Sequence, residues 1–574
     1  MHPVVFHQRV TNREYLCSLT RFLYPAMNLR PSMRPFLLLL FYAFSTLAVA
    51  AGDRSEQLLP EPADDMQSVA EKSETAAPPG FPVWEFRVTG NTLLERSLIE
   101  RTLYPFLGPD KTIDDLEQAR LALQQVYQQK GYATGFVDIP EQQVTEGIVQ
   151  LAVTEGELQR LKISGSRYFS LGRIRAGVPS LREGSVPNLN QVQEQLAELN
   201  RANPDREIVP ALRPGATPGT LEVELKVDDE LPVHGSLEVN NRYTSNTSET
   251  RLSASLRYAN LWQKDHTLGL SWQISPERRD EVEVLAANYV WPLAGSDTVL
   301  AAYAVDSQSD VASVGALSVI GNGTIVGLRA IKPLAGFDGL YHSLTLGLDY
   351  KDFDESVNLL GGDSANTPIN YLSFIADYSA TLAGDGQVSR FGLSGHFAPR
   401  AGINDEQEFA SKRFNASASY FYLRLNGEHE RRGPWRSRVK LSGSGQVAGK
   451  PLISNEQFSI GGAQSVRGYP ESFVLGDDGL QGSVEWRSPN FDRWLEKLSG
   501  HLHLVLFADG GWVQTRDPLP GQSKSDSLAG IGGGLRFGLG KGFSGDFWWA
   551  RALQQVDEVD SGDSRLHFSI KYEI

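Results

Sequence analysis

The chain has little cysteine, little positive charge and no series of long hydrophobic segments. A single cysteine, Cys17, in 574 residues excludes a disulfide framework within the chain. A mean hydropathy of -0.28, without repeated apolar runs of about 20 residues, excludes a polytopic helical membrane protein. Asp and Glu total 69 against 54 Lys and Arg, which gives a net charge of -15. Because binding to phosphates requires a basic surface, we expect no nucleic-acid partner.

Motifs of catalysis and cofactor binding are also missing. The sequence has no Walker or Rossmann glycine pattern, no H-E-x-x-H and no G-x-S-x-G. Its ten histidines lack the spacing of metal ligands. We therefore expect a protein that is not an enzyme, with no cofactor and no metal site.

The first 50 residues have the pattern of a secretory signal. Arg30 and Arg34 precede the apolar run 36–44, and Ala48-Val49-Ala50 has the small residues of a cleavage site. A transmembrane anchor is the alternative, but the apolar run is short for one. Residues upstream of Met27 or Met33 are interpreted as an over-extended start. Since Cys17 lies there, the exported chain is expected to have no cysteine.

Residues 51–80 are predicted to be a linker. They are rich in Asp, Glu, Ser and Ala and contain four prolines, a composition that disfavours a packed core. Residues 64–73 are compatible with a short polar helix, and a helix that plugs a pore stays open as an alternative to disorder.

A tandem repeat follows, over residues 81–156 and 157–232. Each copy has the predicted order β-α-α-β-β, with strand alternation and an amphipathic second helix. The segment Phe86–Asn91 recurs as Leu161–Ser166, so that Gly165 follows Gly90 by 75 residues. These residues predict two related small α+β domains.

The last part of the chain, residues 233–574, alternates apolar and polar side chains throughout. Arg251–Tyr258 and Arg565–Ile574 are two of about 16 such segments. Short and long connections alternate between them, which is typical of a transmembrane barrel with short periplasmic turns and long outer loops. The strands of a soluble β-sandwich or propeller also alternate apolar and polar residues, but such folds do not explain the alternation of short and long connections. The predicted fold is therefore α+β repeats followed by an all-β transmembrane barrel of about 16 antiparallel strands.

The first repeat resembles a polypeptide-transport-associated (POTRA) domain. The resemblance rests on the strand that ends at Gly90-Asn91, a second helix capped by Thr112, and Lys130-Gly131-Tyr132 before the next strand. The second repeat resembles this domain more weakly. The resemblance implies that these domains bind unfolded polypeptide through a sheet edge or groove.

Two motifs in the barrel region resemble signatures of the BamA/TpsB superfamily. Val466, Arg467, Gly468 and Tyr469 match V-R-G-Y in the long loop 449–480, which is counted as the sixth outer loop. Phe507, Asp509 and Gly511 match the strand motif F-x-D-x-G, and alternation with Leu504 and Leu506 predicts that they face the lumen. A loop folded into the lumen can bring the Arg467 guanidinium onto the Asp509 carboxylate, a pairing that the resemblance also implies.

Two POTRA domains are typical of transporters of two-partner secretion, the hemolysin-activator and filamentous-hemagglutinin transporter type. This resemblance implies a monomer in the bacterial outer membrane, surrounded by lipid, with its POTRA domains in the periplasm. It would secrete an unfolded partner protein that carries an N-terminal secretion domain. An outer-membrane assembly factor of the same superfamily and a diffusion porin are the alternatives.

Overall fold

The computed structural model describes residues 80–574, with gaps at 310, 315–316, 355, 359–363, 401 and 492–499. The expected secretory signal (1–50) and the linker up to residue 79, with its possible plug helix, lie outside the described residues. No helix in the described part of the chain is both long and apolar enough to cross a membrane.

The first N-terminal domain has a three-stranded sheet under two helices. Its elements are β1 (Phe81–Val83), β2 (Glu85–Thr89), α1 (Arg96–Leu103), β3 (Gly108–Lys111), α2 (Ile113–Gln129), β4 (Gly135–Asp138) and β5 (Ile148–Glu155). The sheet order is β2-β5-β4, with β2 parallel to β5, while β1 and β3 pair separately. The sequence did not predict β1 and β3 as separate strands, because β1 has only three residues and β3, Gly-Pro-Asp-Lys, shows no alternation of apolar and polar side chains.

The second N-terminal domain repeats this topology. Its elements are β6 (Glu157–Ser164), α3 (Leu171–Ala176), α4 (Leu189–Ala202), β7 (Arg206–Pro214) and β8 (Thr220–Asp229), and its sheet order is β6-β8-β7. The repeat extends to the backbone. Gly90 and Gly165 both have positive φ, and a Cβ at either would overlap a carbonyl oxygen of the central strand, that of Val153 or of Val227. Only glycine fits both constraints, which is why this position survives in both copies.

The remaining strands build a closed barrel and three small hairpins. The bounds are β9 (Val233–Asn240), β10 (Arg251–Leu261), β11 (His266–Ile274), β12 (Glu283–Pro292), β13 (Val299–Gln308), β14 (Val311–Val314), β15 (Leu317–Ile320), β16 (Gly323–Leu334), β17 (Leu340–Phe353), β18 (Ser356–Asn358), β19 (Ser364–Asn366), β20 (Ile369–Gly384), β21 (Gln387–Ala398), β22 (Tyr420–Arg432), β23 (Arg438–Ala448), β24 (Phe458–Ile460), β25 (Val474–Gly476), β26 (Asp478–Arg487), β27 (His501–Gln514), β28 (Ser525–Leu539), β29 (Phe543–Ala552) and β30 (Ser564–Glu573).

Sixteen of these strands form the barrel, and the expected fold class is confirmed. The pairs β14-β15, β18-β19 and β24-β25 are hairpins within the long connections. The barrel closes between β30 and β9, over the register from Ser569↔Asn240 to Glu573↔Ser236. All strand neighbours in the barrel are antiparallel, so the connections alternate between two rims. The rim with the N-terminal domains and most of the short turns is called the near rim, and the rim with the longest connections is called the far rim.

The far-rim connections between β21 and β22, and between β23 and β26, are here called loop 5 and loop 6. Loop 5 contains a short helix, α5 (Glu406–Lys412). Loop 6 spans residues 449–477 and follows the eleventh barrel strand. It ends three residues earlier than expected from the sequence, because Asp478 already pairs with Gln514 of β27.

Candidate functional site inside the barrel

Strand β27 places the residues of the F-x-D-x-G motif on the inner wall of the barrel. Phe507 and Asp509 are buried. Leu504 and Leu506, which have the opposite parity on the same strand, are exposed on the outer wall. This is the alternation that one strand of a barrel requires. Gly511 lies on the same inner face, and a Cβ there would come within 3.0–3.1 Å of Val466 and Ile460.

Loop 6 folds back into the barrel and packs against this wall. Val466 and Tyr469 are fully buried, although both belong to a connection between strands. They join an apolar cluster formed by the β24–β25 hairpin and by the inner faces of β27 and β28: Phe458, Ile460, Val474, Val513 and Leu528. Burial of these side chains holds the loop inside the lumen.

Arg467 makes a bidentate ion pair with Asp509. Its Nε lies 2.7 Å from Asp509 Oδ2 and its Nη2 lies 2.8 Å from Oδ1. The backbone N–H of Arg467 donates to the same carboxylate at 3.1 Å, and the Ser483 hydroxyl donates to it at 2.6 Å. Asp509 is only 6% exposed, so these four hydrogen-bond donors replace the water that would otherwise solvate its carboxylate.

The guanidinium of Arg467 is also held from its face. Its Cζ lies 3.4 Å from the centre of the Phe507 ring and 5.8 Å from that of Trp548. Glu485 approaches Nη1 at 3.4 Å. The aromatic residue of the strand motif therefore contributes a cation–π contact to the same arginine that the aspartate binds.

Gly468 and Tyr469 fix the backbone that follows. Gly468 has a φ of 103°, a conformation that favours glycine, and its N–H donates to Nε2 of His567 at 3.2 Å. The Tyr469 hydroxyl donates to the Gln554 carbonyl at 2.8 Å and accepts from the Gln554 N–H at 3.2 Å. The tyrosine thus connects loop 6 to the connection between β29 and β30.

All seven site residues predicted from the sequence meet in this one place. Sequence reasoning missed Ser483, Glu485, Trp548 and His567, which complete it. A usable signal existed for two of them, because Ser483 and Glu485 alternate on β26 opposite Asp509 and Phe507. Trp548 and His567 lie on later strands, and no motif marks them. We call Arg467, Asp509, Ser483 and Phe507 the tip anchor.

A second contact region joins the second N-terminal domain to the near rim. The turn between β10 and β11 presents Gln263, which accepts from the Ser170 N–H at 2.9 Å and donates to the Tyr168 carbonyl at 3.0 Å. Asn203, 1% exposed, donates to the Ala259 carbonyl at 2.9 Å. Gln263 is one of three residues of this turn with positive φ, so the turn adopts an unfavourable backbone to make these contacts. In the part of the chain that the structure describes, no cluster of His, Cys, Asp and Glu could hold a metal ion.

Two small α+β domains before a sixteen-stranded barrel, with a long loop anchored inside it, define an outer-membrane transporter related to protein-transport barrels. Comparisons with known proteins agree. Residues 81–156 match the model of the ShlB-type POTRA domain, and residues 364–537 match that of the haemolysin secretion/activation protein ShlB/FhaC/HecB. These matches confirm the resemblance to two-partner secretion transporters that the sequence led us to expect.

Relatives of known name are outer-membrane transporters. The outer membrane transporter CdiB of Escherichia coli is 25% identical over 557 residues, which cover 88% of this chain and 87% of that protein. CdiB of Dickeya dadantii (strain 3937) is 24% identical over 472 residues, 75% of this chain and 76% of that protein. The solved structure of CdiB from Escherichia coli has the same fold, with a TM-score of 0.59 and 21% identity over 88% of this chain and 93% of that one.

The outer-membrane location expected from the sequence is confirmed as well. POTRA domains of this family lie in the periplasm, so the near rim of the barrel faces the periplasm and the far rim faces the outside of the cell.

Proposed function

We propose that this transporter receives its unfolded secreted partner by strand addition at β2 of the first POTRA domain and passes it through the barrel. The observation that carries this proposal is the state of the sheet edges in the two domains. Strand addition needs unpaired backbone groups along an edge, and it is indifferent to the sequence of the added strand. A receptor for unfolded chains benefits from both properties.

Strand β2 has such an edge. The Gln142 side chain hydrogen-bonds both the N–H and the C=O of Gln150, on the side of β5 that faces β4. Since backbone groups alternate in direction along a strand, the residues before and after Gln150 point their N–H and C=O groups towards β2. The parallel register, with Glu85 N–H donating to the Gly147 carbonyl, then points the backbone groups of Phe86 and Val88 away from the sheet. Neither residue has a backbone partner on that side among the described residues. Their side chains are partly exposed and offer an apolar floor beside the edge.

In the second domain, the backbone groups along one edge strand, β6, already have hydrogen-bond partners. On β6, Leu158 exchanges backbone hydrogen bonds with residues 184 and 185 of the following loop. Leu161 donates its N–H to the Glu183 carboxylate at 3.0 Å and accepts from the Arg175 guanidinium at 3.3 Å. Little of this edge is left for another strand.

The other edge of the second domain, strand β7, is protected by a side chain and by prolines. Both backbone groups of Ile208 bond to the Asn200 side chain, at 2.9 and 3.1 Å. Pro210 and Pro214 follow with the same orientation and have no N–H to donate. Proline and capped backbone are common ways of preventing strand addition, so the first domain is the better receptor.

The remaining features of the proposal follow from the charge and the closure of the chain. The partner is a secreted protein with an N-terminal secretion domain. Nucleic acid is not a partner in this proposal, because the chain carries a net charge of -15. A barrel that closes within one chain needs no second copy, so we propose a monomer, with lipid around the exposed leucines of the outer wall. The domains are assigned as 81–156, 157–232 and 233–574, and the protein acts as a transporter and not as an enzyme. In this proposal the tip anchor holds loop 6 in the resting pore.

A disulfide-trapping experiment tests the receptor site. Cysteine is placed at Arg87 on β2 or, as a matched control, at Arg213 on β7; both are exposed arginines on an outer strand. Single cysteines are then scanned along the secretion domain of a candidate exported partner. Strand addition predicts trapping at Arg87→Cys with a period of two residues and none at Arg213→Cys. Equal trapping at both positions would contradict the proposed site.

The translocation function is tested separately, by depleting the transporter. Loss of the one exported protein from the cell surface is expected, with the other outer-membrane proteins unchanged. A broad loss of outer-membrane proteins would instead indicate an assembly factor.

A further inference from the structure

A second packed region lies near the far rim, on the side of the lumen opposite the tip anchor. Helix α5 of loop 5 and the first stem of loop 6 contribute Phe409, Leu452 and Ile453, all nearly inaccessible. They pack on inner-wall residues of the strands from β12 to β23, among them Val284, Tyr371, Tyr420 and Tyr422. That Val284 faces inward follows from its neighbour Leu285, which is exposed on the outer wall. An apolar core therefore occupies this side of the lumen.

A buried carboxylate lies at the base of this core. Glu456, on the first stem of loop 6, is 1% exposed. It binds Lys351 Nζ at 2.6 Å and accepts from the hydroxyls of Tyr371 at 2.6 Å and Tyr422 at 2.7 Å. These three donors lie on β17, β20 and β22, so a single loop residue is bound to three strands of the wall.

A second buried carboxylate joins loop 5, loop 6 and the connection between β27 and β28. The side chain of Asp477, at the end of loop 6, is completely buried and forms a bidentate pair with Arg413 of loop 5, at 2.5 and 2.7 Å. It also accepts from the N–H groups of Leu452 at 2.8 Å and Arg516 at 2.6 Å. Leu452 belongs to the opposite stem of loop 6, and Arg516 to the connection after β27. Asp477 therefore holds both stems of loop 6 and its two neighbouring loops together.

We propose that Lys351, Arg413, Glu456 and Asp477, here the stem anchor, position loops 5 and 6 as one plug at the far rim, independently of the tip anchor. The two anchors share no residue. The tip anchor holds loop 6 to β26–β29, whereas the stem anchor holds it to β17–β22 and to loop 5. Breaking the tip anchor alone then leaves the plug attached at its stems, and full opening of the pore requires release of both.

The chemistry of the stem anchor explains why its residues are positioning residues. An ionised carboxylate without water is stable only while all its donors are in place, so these loops have one favourable arrangement. Neutralising Asp477 removes the charged partner of the largely buried Arg413 guanidinium and loosens three loops at once. Since the two anchors are separate, their disruption is expected to combine additively in free energy, and so multiplicatively in the frequency of openings.

Conductance of the purified full-length transporter in planar bilayers tests this inference without any partner protein. Asp477→Asn and Glu456→Gln are each expected to raise the frequency of large openings by about tenfold or more. Combined with Arg467→Ala, Asp477→Asn should multiply the effect of that variant, whereas Asp477→Asn with Arg413→Met should not exceed Asp477→Asn alone. The matched control is Glu430→Gln, which breaks an exposed Arg438–Glu430 pair on the wall and should leave the openings unchanged.

Folding of each variant is checked by heat-modifiable migration. Tyr422→Phe, which removes one hydroxyl and no charge, serves if a charge variant fails to fold, and a smaller rise in openings is expected from it. Wild-type conductance of a folded Asp477→Asn barrel would overturn the inference, and so would a double variant with Arg467→Ala no more open than Arg467→Ala itself. For secretion the inference rests on the proposed function, but the conductance result stands whether or not a partner is exported.

Discussion

The carbonyl oxygen of Arg467 lies against Gly530, so close that a Cβ at position 530 would overlap it. Gly530 is on β28, directly opposite Asp509 of β27 in the sheet. The main chain of loop 6 therefore touches the wall at the residue next to the one that binds its side chain. The tip anchor depends on this close approach as well as on the ion pair.

Gly530→Ala should release the tip of loop 6 by a steric effect alone. The obstacle is a backbone atom, which cannot rotate away, so the loop must move and the Arg467–Asp509 pair must lengthen. We expect this variant to behave like Arg467→Ala in conductance and in protease sensitivity of the loop. Gly510→Ala is the matched control, because a Cβ there meets nothing within 4 Å. Equal behaviour of the two alanine variants would contradict this account.

Arg467→Ala and Asp509→Ala should each reduce secretion strongly while the barrel still inserts. Each leaves a buried charge without its partner, at a cost of about 3–5 kcal/mol where water is excluded. Because the two residues act through one interaction, the double variant should be no worse than either single variant. Secretion of the partner and heat-modifiable migration of the barrel are measured in the same cells.

Two results would separate these residues. Losses that add up in the double variant would mean that Arg467 and Asp509 have different roles. Wild-type secretion by either single variant would mean that the pair is not needed.

The second N-terminal domain should lose local stability at acidic pH through Asp229. Burial by itself would raise the pKa of this carboxyl group, but the N–H groups of Tyr168, Arg167 and Phe169 and the Ser166 hydroxyl outweigh it and lower the pKa. Because the pKa is lowered on folding, Asp229 stabilises the folded domain fully at any pH above its unfolded-state pKa of about 3.9. This stabilisation is lost as the pH falls through the folded-state pKa. The loop that Asp229 holds is the one that contacts Gln263 of the barrel.

Hydrogen exchange of residues 166–170 in the full chain, corrected for intrinsic rates, measures this effect. Protection should fall below about pH 4. At pH 7, Asp229→Asn should reduce the free energy of opening by about 1–3 kcal/mol. Asp228→Asn, its exposed neighbour on β8, is the control and should change nothing. Unchanged protection in Asp229→Asn would show that the loop is held by other contacts.

Capping should distinguish helices α2 and α3. Thr112 accepts from the Asp115 N–H at 3.3 Å, and Asp115 accepts from the Thr112 N–H at 2.8 Å, a complete capping box. Thr112→Ala is therefore expected to destabilise the first POTRA domain by about 1 kcal/mol. Ser170 occupies the same position before α3 but makes no capping bond with its side chain, so Ser170→Ala should be nearly neutral. Thermal unfolding monitored by helix signal compares the two, and the reverse order would refute the assignment.

Local pattern determined much of this protein. The period-2 alternation in residues 233–574 predicted the barrel and its approximate strand number, because each strand has one face in lipid and one in the lumen. The recurrence of Gly90 as Gly165 predicted two related domains, since both glycines meet the same backbone constraint. The seven motif residues, from Val466 to Gly511, predicted where loop 6 meets the wall.

Only the tertiary structure decided which edges are open and where the second anchor lies. The side chains that cover β6 and β7 come from loops and helices whose sequence carries no edge signal. Lys351 and Glu456 are 105 positions apart, and Arg413 and Asp477 are 64 apart. A buried ion pair leaves no periodicity in either segment, because it depends on two segments distant in sequence reaching the same point in space. Such pairings become visible only when the closed barrel fixes the distance between its walls.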